Sequence, residues 1–211
     1  MTKLLKVAVL LLLAVSVGAH AETTQWEEGK QYIKLASPVP TTSGDKIEVA
    51  EIFWYGCPHC YDFKPLVEKW ADNKPEDVNF KLIPAALGRS WEPHARAFFT
   101  LQAMDKLNPT THNALFDALA RDHKPLNTPE ALADFLSNYD VDKDTFIKTY
   151  NSFGVNAKMQ QDQALLRGAR VTGVPTMLVD GKYTVSAATA GSHEKMLEVV
   201  NYLVKKERAE K

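Results

Sequence analysis

The sequence predicts an α/β protein in which a central mixed β-sheet, flanked by helices, is interrupted by an all-helical insertion. Strand-like segments rich in β-branched and aromatic residues occupy the first part of the chain, and strand signals return near its end. Between them, from about residue 87 to residue 168, the hydrophobic pattern is helical. With 211 residues, 45% of them hydrophobic, the chain can build one compact core or one domain with an insertion.

The first part of the chain follows the order strand, strand, helix, strand. The predicted strands are Gln31–Ala36, Lys46–Tyr55 and Val78–Pro84. The second of these, KIEVAEIFWY, is long and apolar enough to be a buried central strand. Pro58 favours the first turn of a helix, which we expect to reach about Asn73 with a kink at Pro65.

The insertion contains amphipathic helical patterns. Thr128 is a candidate N-cap, with Pro129 at the first helical position. Apolar side chains then recur at helical spacing, first at Leu132, Phe135, Leu136 and Tyr139 and then at Phe146, Tyr150 and Phe153. We interpret both stripes as core-facing, because apolar stripes at helical spacing normally face a core.

The last part of the chain predicts a hairpin and a helix. Thr176–Val179 and Lys182–Val185 flank Asp180-Gly181, a dipeptide typical of two-residue hairpin turns. Ser192 is a candidate cap for a final helix with its inward side chains at Met196, Val199, Val200 and Leu203.

The N-terminus is typical of a secretory signal peptide. Lys3 and Lys6 precede the apolar run VAVLLLLAVSV, and AHA follows, with cleavage expected after Ala21. The run is shorter than the roughly 20 apolar residues that span a bilayer. Removing both lysines leaves 23 basic against 26 acidic residues, a net charge of −3. This charge gives no basic field for nucleic acid.

The segment FWYGCPHC holds both cysteines of the chain, Cys57 and Cys60. A cysteine at the start of a helix faces unpaired N–H groups and the positive end of the helix dipole, which favour its thiolate. We expect Cys57 at that position, with Cys60 one turn further and more shielded. In an α/β pattern, such a pair is typical of thioredoxin-like redox chemistry.

His59 lies between the two cysteines, where a ring N–H or a positive charge lowers the pKa of Cys57. Because a stabilised thiolate favours the reduced form, the disulfide becomes more oxidising. The sequence therefore favours an oxidant over a reductant. A solvated turn histidine is the alternative interpretation of His59.

Two other uses of the cysteine pair are less consistent with the sequence. A zinc site normally needs four ligands, and no further cysteine is present. The other histidines of the mature chain lack the paired spacing of zinc ligands: His94, His112, His123 and His193. A structural disulfide closing so small a loop removes little chain entropy. We predict no metal and no bound cofactor.

The motif FWYGCPHC, the helical insertion and VTGVPT (Val171–Thr176) together resemble the DsbA family of exported thiol–disulfide oxidases of Gram-negative bacteria. The resemblance covers essentially the whole mature chain. It implies a thioredoxin fold with an inserted helical domain. The implied division is a signal peptide at 1–21, a thioredoxin-like domain at 22–86 and 169–211, and the helical insertion at 87–168.

The resemblance also implies roles for individual residues besides Pro58 and His59 of the CPHC motif. Pro175 would follow a cis peptide bond beside the sulfurs, and the backbone of Val174 would hold an extended substrate segment. Glu51 would be a buried acid that assists proton transfer at Cys60. The alternatives are an ordinary trans proline and a solvated strand glutamate. Lys64 departs from the family pattern, because some relatives carry an acid there.

The implied activity is oxidation of newly exported cysteine-containing proteins in the periplasm through a Cys57–Cys60 disulfide. The implied partner is a DsbB-like, quinone-linked membrane protein, and the enzyme is expected to be a monomer. Two alternatives stay open at this point. One is a periplasmic reductase or isomerase, and the other is a non-catalytic chaperone or metal-handling protein, for which Met177 near Pro175 is a candidate soft ligand.

Overall fold

The computed structural model describes residues 25–211, so the predicted signal peptide lies outside the described residues. Its centre is a five-stranded mixed sheet in the order β1-β5-β4-β2-β3. Strands β2 and β3 are parallel, and the other neighbouring pairs are antiparallel. The strands are β1 (Ile33–Lys34), β2 (Ile47–Phe53), β3 (Val78–Pro84), β4 (Thr176–Val179) and β5 (Tyr183–Ser186).

Helices cover the sheet and fill the interval between β3 and β4. They are α1 (Pro58–Asp72), α2 (Glu92–Ala103), α3 (Pro109–Phe116), α4 (Pro129–Leu136), α5 (Lys143–Tyr150), α6 (Phe153–Gly168), α7 (Ala187–Ala190) and α8 (His193–Glu210). A π-helical turn at Asp117–Arg121 continues α3. Among residues 25–211, no helix is both long and apolar enough to cross a membrane.

Strand β2 determines the position of the cysteine motif, because the strand is buried along its whole length and leads directly to the two cysteines. One of its faces packs with α1 and α8, where Val49 contacts a cluster containing Phe63 and Val199. Its other face carries Ala50 and Ile52 into a cluster with the end of α6. Both faces are covered, as a near-continuous apolar strand requires.

The predicted fold class is confirmed, and the boundaries of most elements are close to those expected. Strand β3 and the cap at Thr128 are as predicted. Helix α1 continues through Pro65, and Asn73 is its C-cap. Strand β1 is much shorter than Gln31–Ala36, because only Ile33 and Lys34 pair with β5.

One predicted core residue is exposed. Phe146 and Tyr150 are buried as expected, but the side chain of Phe153 is 86% exposed. The reason is a break in the helix: α5 ends at Tyr150, and Ser152 caps a new helix that begins at Phe153. The stripe therefore does not continue across the break, and the prediction for Phe153 was wrong.

The hairpin and the final helix form as predicted. Asp180 and Gly181 both have positive φ, +48° and +62°, as a two-residue turn of this type requires. A Cβ at Gly181 would lie 2.2 Å from the Val39 carbonyl oxygen, so no other residue fits this turn unchanged. Ser192 caps α8, and its four predicted inward residues are buried.

A buried charge at the end of the hairpin gives a stability prediction. Glu207 of α8 is fully buried, and its carboxylate forms an ion pair with Lys182, which also bonds Asp180 at 3.1 Å. We expect Lys182→Met to destabilise the protein by about 3 kcal/mol in urea unfolding, because it leaves Glu207 without a counter-ion. Lys205→Met is the control, since Lys205 is exposed on the same helix. Equal loss in both variants would contradict the account.

Candidate active site

Cys57 is the N-cap of α1, as the sequence predicts. The backbone N–H of Cys60 donates a hydrogen bond to the Cys57 Sγ over 3.4 Å. The Cys57 thiol donates to the carbonyl oxygen of Val174 over 3.6 Å. Cys57 is 7% exposed and Cys60 is 0% exposed, and both are free thiols. Only the first sulfur is therefore open to attack from solvent.

The two thiols differ strongly in acidity. The pKa of Cys57 is lowered to about 6, first by its hydrogen bond with the Cys60 side chain, then by the backbone N–H groups of Cys60 and His59 and by the charge of His59. Burial raises the pKa of Cys60 well above its usual range, and the Cys57 charge raises it further. At neutral pH the pair therefore holds one thiolate, on Cys57, and one thiol, on Cys60.

Pro58 and His59 begin helix α1. Pro58 occupies its first position, where the missing N–H costs nothing. His59 is exposed, and its ring centroid lies 6.4 Å from that of His193 at the start of α8. The His59 imidazole therefore lies on the exposed side of the active site.

The loop before β4 lies across the sulfurs. Its Val174–Pro175 peptide bond is cis, as the resemblance implies. The carbonyl of Val174 faces the Cys57 thiol. Val174, Pro175 and His59 line a groove of about 590 Å³. An extended peptide in this groove would pass the backbone of Val174, whose carbonyl oxygen lies 3.6 Å from the Cys57 sulfur.

Glu51 is buried on β2, 3% exposed, with Met177 and Leu82 as its cross-strand neighbours. Within the described residues no group donates a hydrogen bond to its carboxyl group. Its pKa is raised to about 8, first by burial and then by the charge of Glu68, while Lys64 opposes the shift. The solvated-glutamate alternative is therefore wrong, and the carboxyl group is protonated at neutral pH.

Lys64, the departure from the family pattern, forms an ion pair with Glu68 over 3.0 Å. Its side chain is 16% exposed, whereas that of Glu68 is 51% exposed. Both charges act on the pKa of Glu51, in opposite directions. The effects of Lys64 and Glu68 on the pKa of Glu51 therefore partly cancel.

Two histidines that the sequence left unassigned support the strand–helix junction. The Trp54 indole N–H donates to His94 Nδ1 over 2.9 Å, so His94 donates from Nε2 to the Leu126 carbonyl. Trp54 also stacks on Trp91 with ring centroids 4.4 Å apart. The Trp54 carbonyl in turn accepts the Cys57 N–H. These contacts hold the segment before Cys57.

The second histidine lies deeper. His112 Nδ1 is 2.8 Å from the Tyr55 hydroxyl, and both groups are buried among aromatic rings. Burial, with a smaller contribution from Lys64, lowers the pKa of His112 to about 4, so it is neutral near pH 7. Partners 40 and 57 residues apart give no local sequence signal, and sequence analysis missed both contacts.

The metal-handling alternative gains no support from the geometry. Residues 25–211 contain no group of three His, Cys, Asp or Glu side chains arranged to hold a metal ion. Met177 is completely buried on β4 and packs in the cluster with Phe63 and Val199, whereas Cys57 and Cys60 belong to a different cluster.

Comparison with known proteins identifies the family. The model of the DSBA-like thioredoxin domain matches residues 74–197. The DsbA of Pseudomonas aeruginosa is 44% identical over 200 residues, covering 95% of this chain and 94% of the relative. The chain belongs to the DsbA family. The DsbA of Azotobacter vinelandii is 43% identical over 197 residues, 92% of each chain.

Solved structures of DsbA proteins agree. The crystal structure of P. aeruginosa DsbA superimposes with a TM-score of 0.84 at 46% identity, covering 87% of this chain and 95% of that one. The Xylella fastidiosa DsbA gives 0.81 at 34% identity, covering 87% and 98%. The fold is therefore the thioredoxin-like DsbA fold, and the chain is a thiol–disulfide oxidoreductase of that family.

Proposed function

We propose that the protein oxidises newly exported polypeptides through a Cys57–Cys60 disulfide, and that it works as an oxidant rather than as a reductase or isomerase. The observation that carries this direction is the low pKa of Cys57 at the start of α1. Stabilising the reduced thiolate makes the disulfide a stronger acceptor of electrons, by about 30 mV for each 1.4 kcal/mol.

In the first step a substrate thiolate attacks the Cys57 sulfur. The Cys57–Cys60 bond breaks, Cys60 leaves, and a mixed disulfide joins the substrate to Cys57. The attack falls on Cys57 because the Cys60 sulfur is completely buried. Cys60 takes up a proton as it leaves, since its pKa is raised far above neutrality.

In the second step another substrate thiolate attacks the substrate sulfur of the mixed disulfide. Cys57 leaves as a thiolate and keeps the bonding electron pair. The substrate has then lost two electrons, and the enzyme holds them as one thiolate and one thiol. A leaving group of low pKa departs faster, so the stabilised Cys57 thiolate promotes release of the oxidised product.

The neighbouring residues fit the two steps. Glu51 carries a proton at neutral pH, and its carboxyl group, when ionised, raises the pKa of Cys60, so the two groups interact. We therefore assign to Glu51 the proton given to the departing Cys60. His59 stabilises the Cys57 thiolate from the mouth of the site. Pro58 fixes the first turn of α1, and the backbone of Val174 before Pro175 holds the substrate strand.

The cellular setting follows from the family and from the N-terminal pattern. DsbA relatives act in the periplasm, and we propose the same place for this chain after removal of residues 1–21. Regeneration requires an electron acceptor, which we assign to a DsbB-like membrane protein. We propose a monomer whose thioredoxin-like domain comprises residues 22–86 and 169–211, with the helical domain at 87–168.

The direct test is stoichiometric oxidation of a reduced, unfolded protein with two cysteines. Oxidised mature enzyme is mixed with this substrate, the reaction is quenched by alkylation, and thiols on both partners are counted by mass spectrometry. We expect one substrate disulfide for each enzyme molecule reduced. A reductase would leave the substrate thiols unchanged and its own disulfide intact.

A further inference from the structure

The ionisable side chains that line the groove beside Pro175 are all basic. Lys34 from β1, His59 from α1, Arg170 from the loop after α6 and His193 from α8 all face it. Within the part of the chain that the structure describes, no Asp or Glu lines it. We call the surface formed by these four residues the basic groove.

This charge is unusual for the protein that carries it. With histidine counted as neutral the full chain has a net charge of −1, whereas on the same count the groove carries two positive charges, Lys34 and Arg170, and no negative one from residues 25–211. Lys34 and Arg170 are exposed, and neither forms an ion pair with a described residue. Their charges are therefore available to a ligand.

The start of α8 adds to the positive potential. His193 is the first residue of this 18-residue helix, and His59 is the second of α1, so two helix N-termini meet at the groove. Their dipoles have their positive ends here. The remaining wall offers apolar and hydroxyl groups, including Thr184, Ser186 and Thr189. Such a lining suits an extended peptide with a negatively charged side chain.

We propose that the basic groove selects substrate segments that carry Asp or Glu among the few residues flanking the reactive cysteine. The inference rests on the proposed function, since it concerns the peptide that attacks Cys57. Lys34 and Arg170 supply the free charges, and the groove that they line also includes Val174, whose carbonyl oxygen lies 3.6 Å from the Cys57 sulfur. Carboxylates near the cysteine then raise the rate of the first exchange step.

The test compares two cysteine peptides that differ only in Glu against Gln beside the cysteine. The rate constant for reduction of the Cys57–Cys60 disulfide is measured by acid quench, alkylation and mass spectrometry. Reaction of each peptide with dithiodipyridine, a neutral disulfide, corrects for the intrinsic reactivity of its thiol. We expect the Glu peptide to react about fivefold faster than the Gln peptide at low salt. The ratio of the two rate constants should fall toward one when salt screens the charges.

Substitutions test whether Lys34 and Arg170 cause the preference for the Glu peptide. Lys34→Gln combined with Arg170→Gln should bring the Glu-to-Gln ratio close to one, and the Gln peptide corrects for any general effect of the changes. Lys205→Gln should keep the full ratio, because Lys205 lies about 18 Å along α8 from His193. Either equal corrected rates in the wild type or a preference that survives the double substitution would overturn the proposal. If neither peptide reduces the disulfide, the proposed function itself fails.

Discussion

A Cys60→Ser variant is expected to lose oxidase turnover completely and to accumulate a mixed disulfide when it is offered an activated substrate disulfide. The reason is the unequal accessibility and acidity of the two thiols. Cys57 keeps 7% of its surface exposed and has a pKa of about 6, whereas Cys60 is fully buried and has a raised pKa. A remaining Cys57 thiolate forms the first bond, and no second sulfur is present to resolve it.

Cys57→Ser is the matched control. It should also lose turnover but form almost no mixed disulfide, because the Cys60 thiol is protonated and has no exposed surface. Non-reducing gels and mass spectrometry distinguish the two variants. Equal trapping by both would mean that either sulfur accepts attack, which contradicts the mechanism.

Glu51→Gln is expected to stabilise the protein by about 3 kcal/mol at pH 7. The pKa of Glu51 is about 8 in the folded state against 4.5 as its ordinary value. Because the folded state holds the proton more tightly, the stability that Glu51 contributes is full below pH 4.5 and is lost as pH rises to 8. The neutral amide of the Glu51→Gln variant does not ionise, so the variant does not lose stability as pH rises. The difference in unfolding free energy between the variant and the wild type should therefore shrink toward zero in acid.

Glu48 provides an internal control on the same strand. It is equally buried, at 3% exposed, but Lys81 bonds its carboxylate at 2.7 Å and Ser43 and Thr42 also donate to it. Although burial raises its pKa, these bonds lower it overall. Glu48→Gln should therefore destabilise the protein, by about 1–3 kcal/mol. Urea unfolding across pH 4–8 measures both, and a shared sign would contradict the electrostatic account.

The sequence predicted best those features that depend on neighbouring residues. The cysteine motif, Pro58 and the strand that precedes them are local signals, and they placed Cys57 at the start of α1. Strand alternation put Glu51 on the same face as Phe53, which is where burial then raises its pKa. The hairpin at Asp180-Gly181 was equally local, because the turn depends on two residues that tolerate positive φ.

The features that were missed depend on contacts between distant segments. Phe153 is exposed because the chain breaks its helix at Ser152, which the hydrophobic spacing does not reveal. His94 has no local signal for its bond to Trp54, 40 residues away. The basic groove is assembled from β1, α1, the loop after α6 and α8, so only the folded chain brings its charges together.

The central claim is that the folded protein stabilises the Cys57 thiolate, and titration of the reduced mature protein tests it most directly. Ultraviolet absorbance of the thiolate is followed against pH, with Cys57→Ser as the blank and His59→Ala as the probe of the neighbouring charge. We predict a pKa of about 6 that rises in His59→Ala. A pKa near the ordinary value of about 8.5, unmoved by that substitution, would contradict the account and favour a reductase.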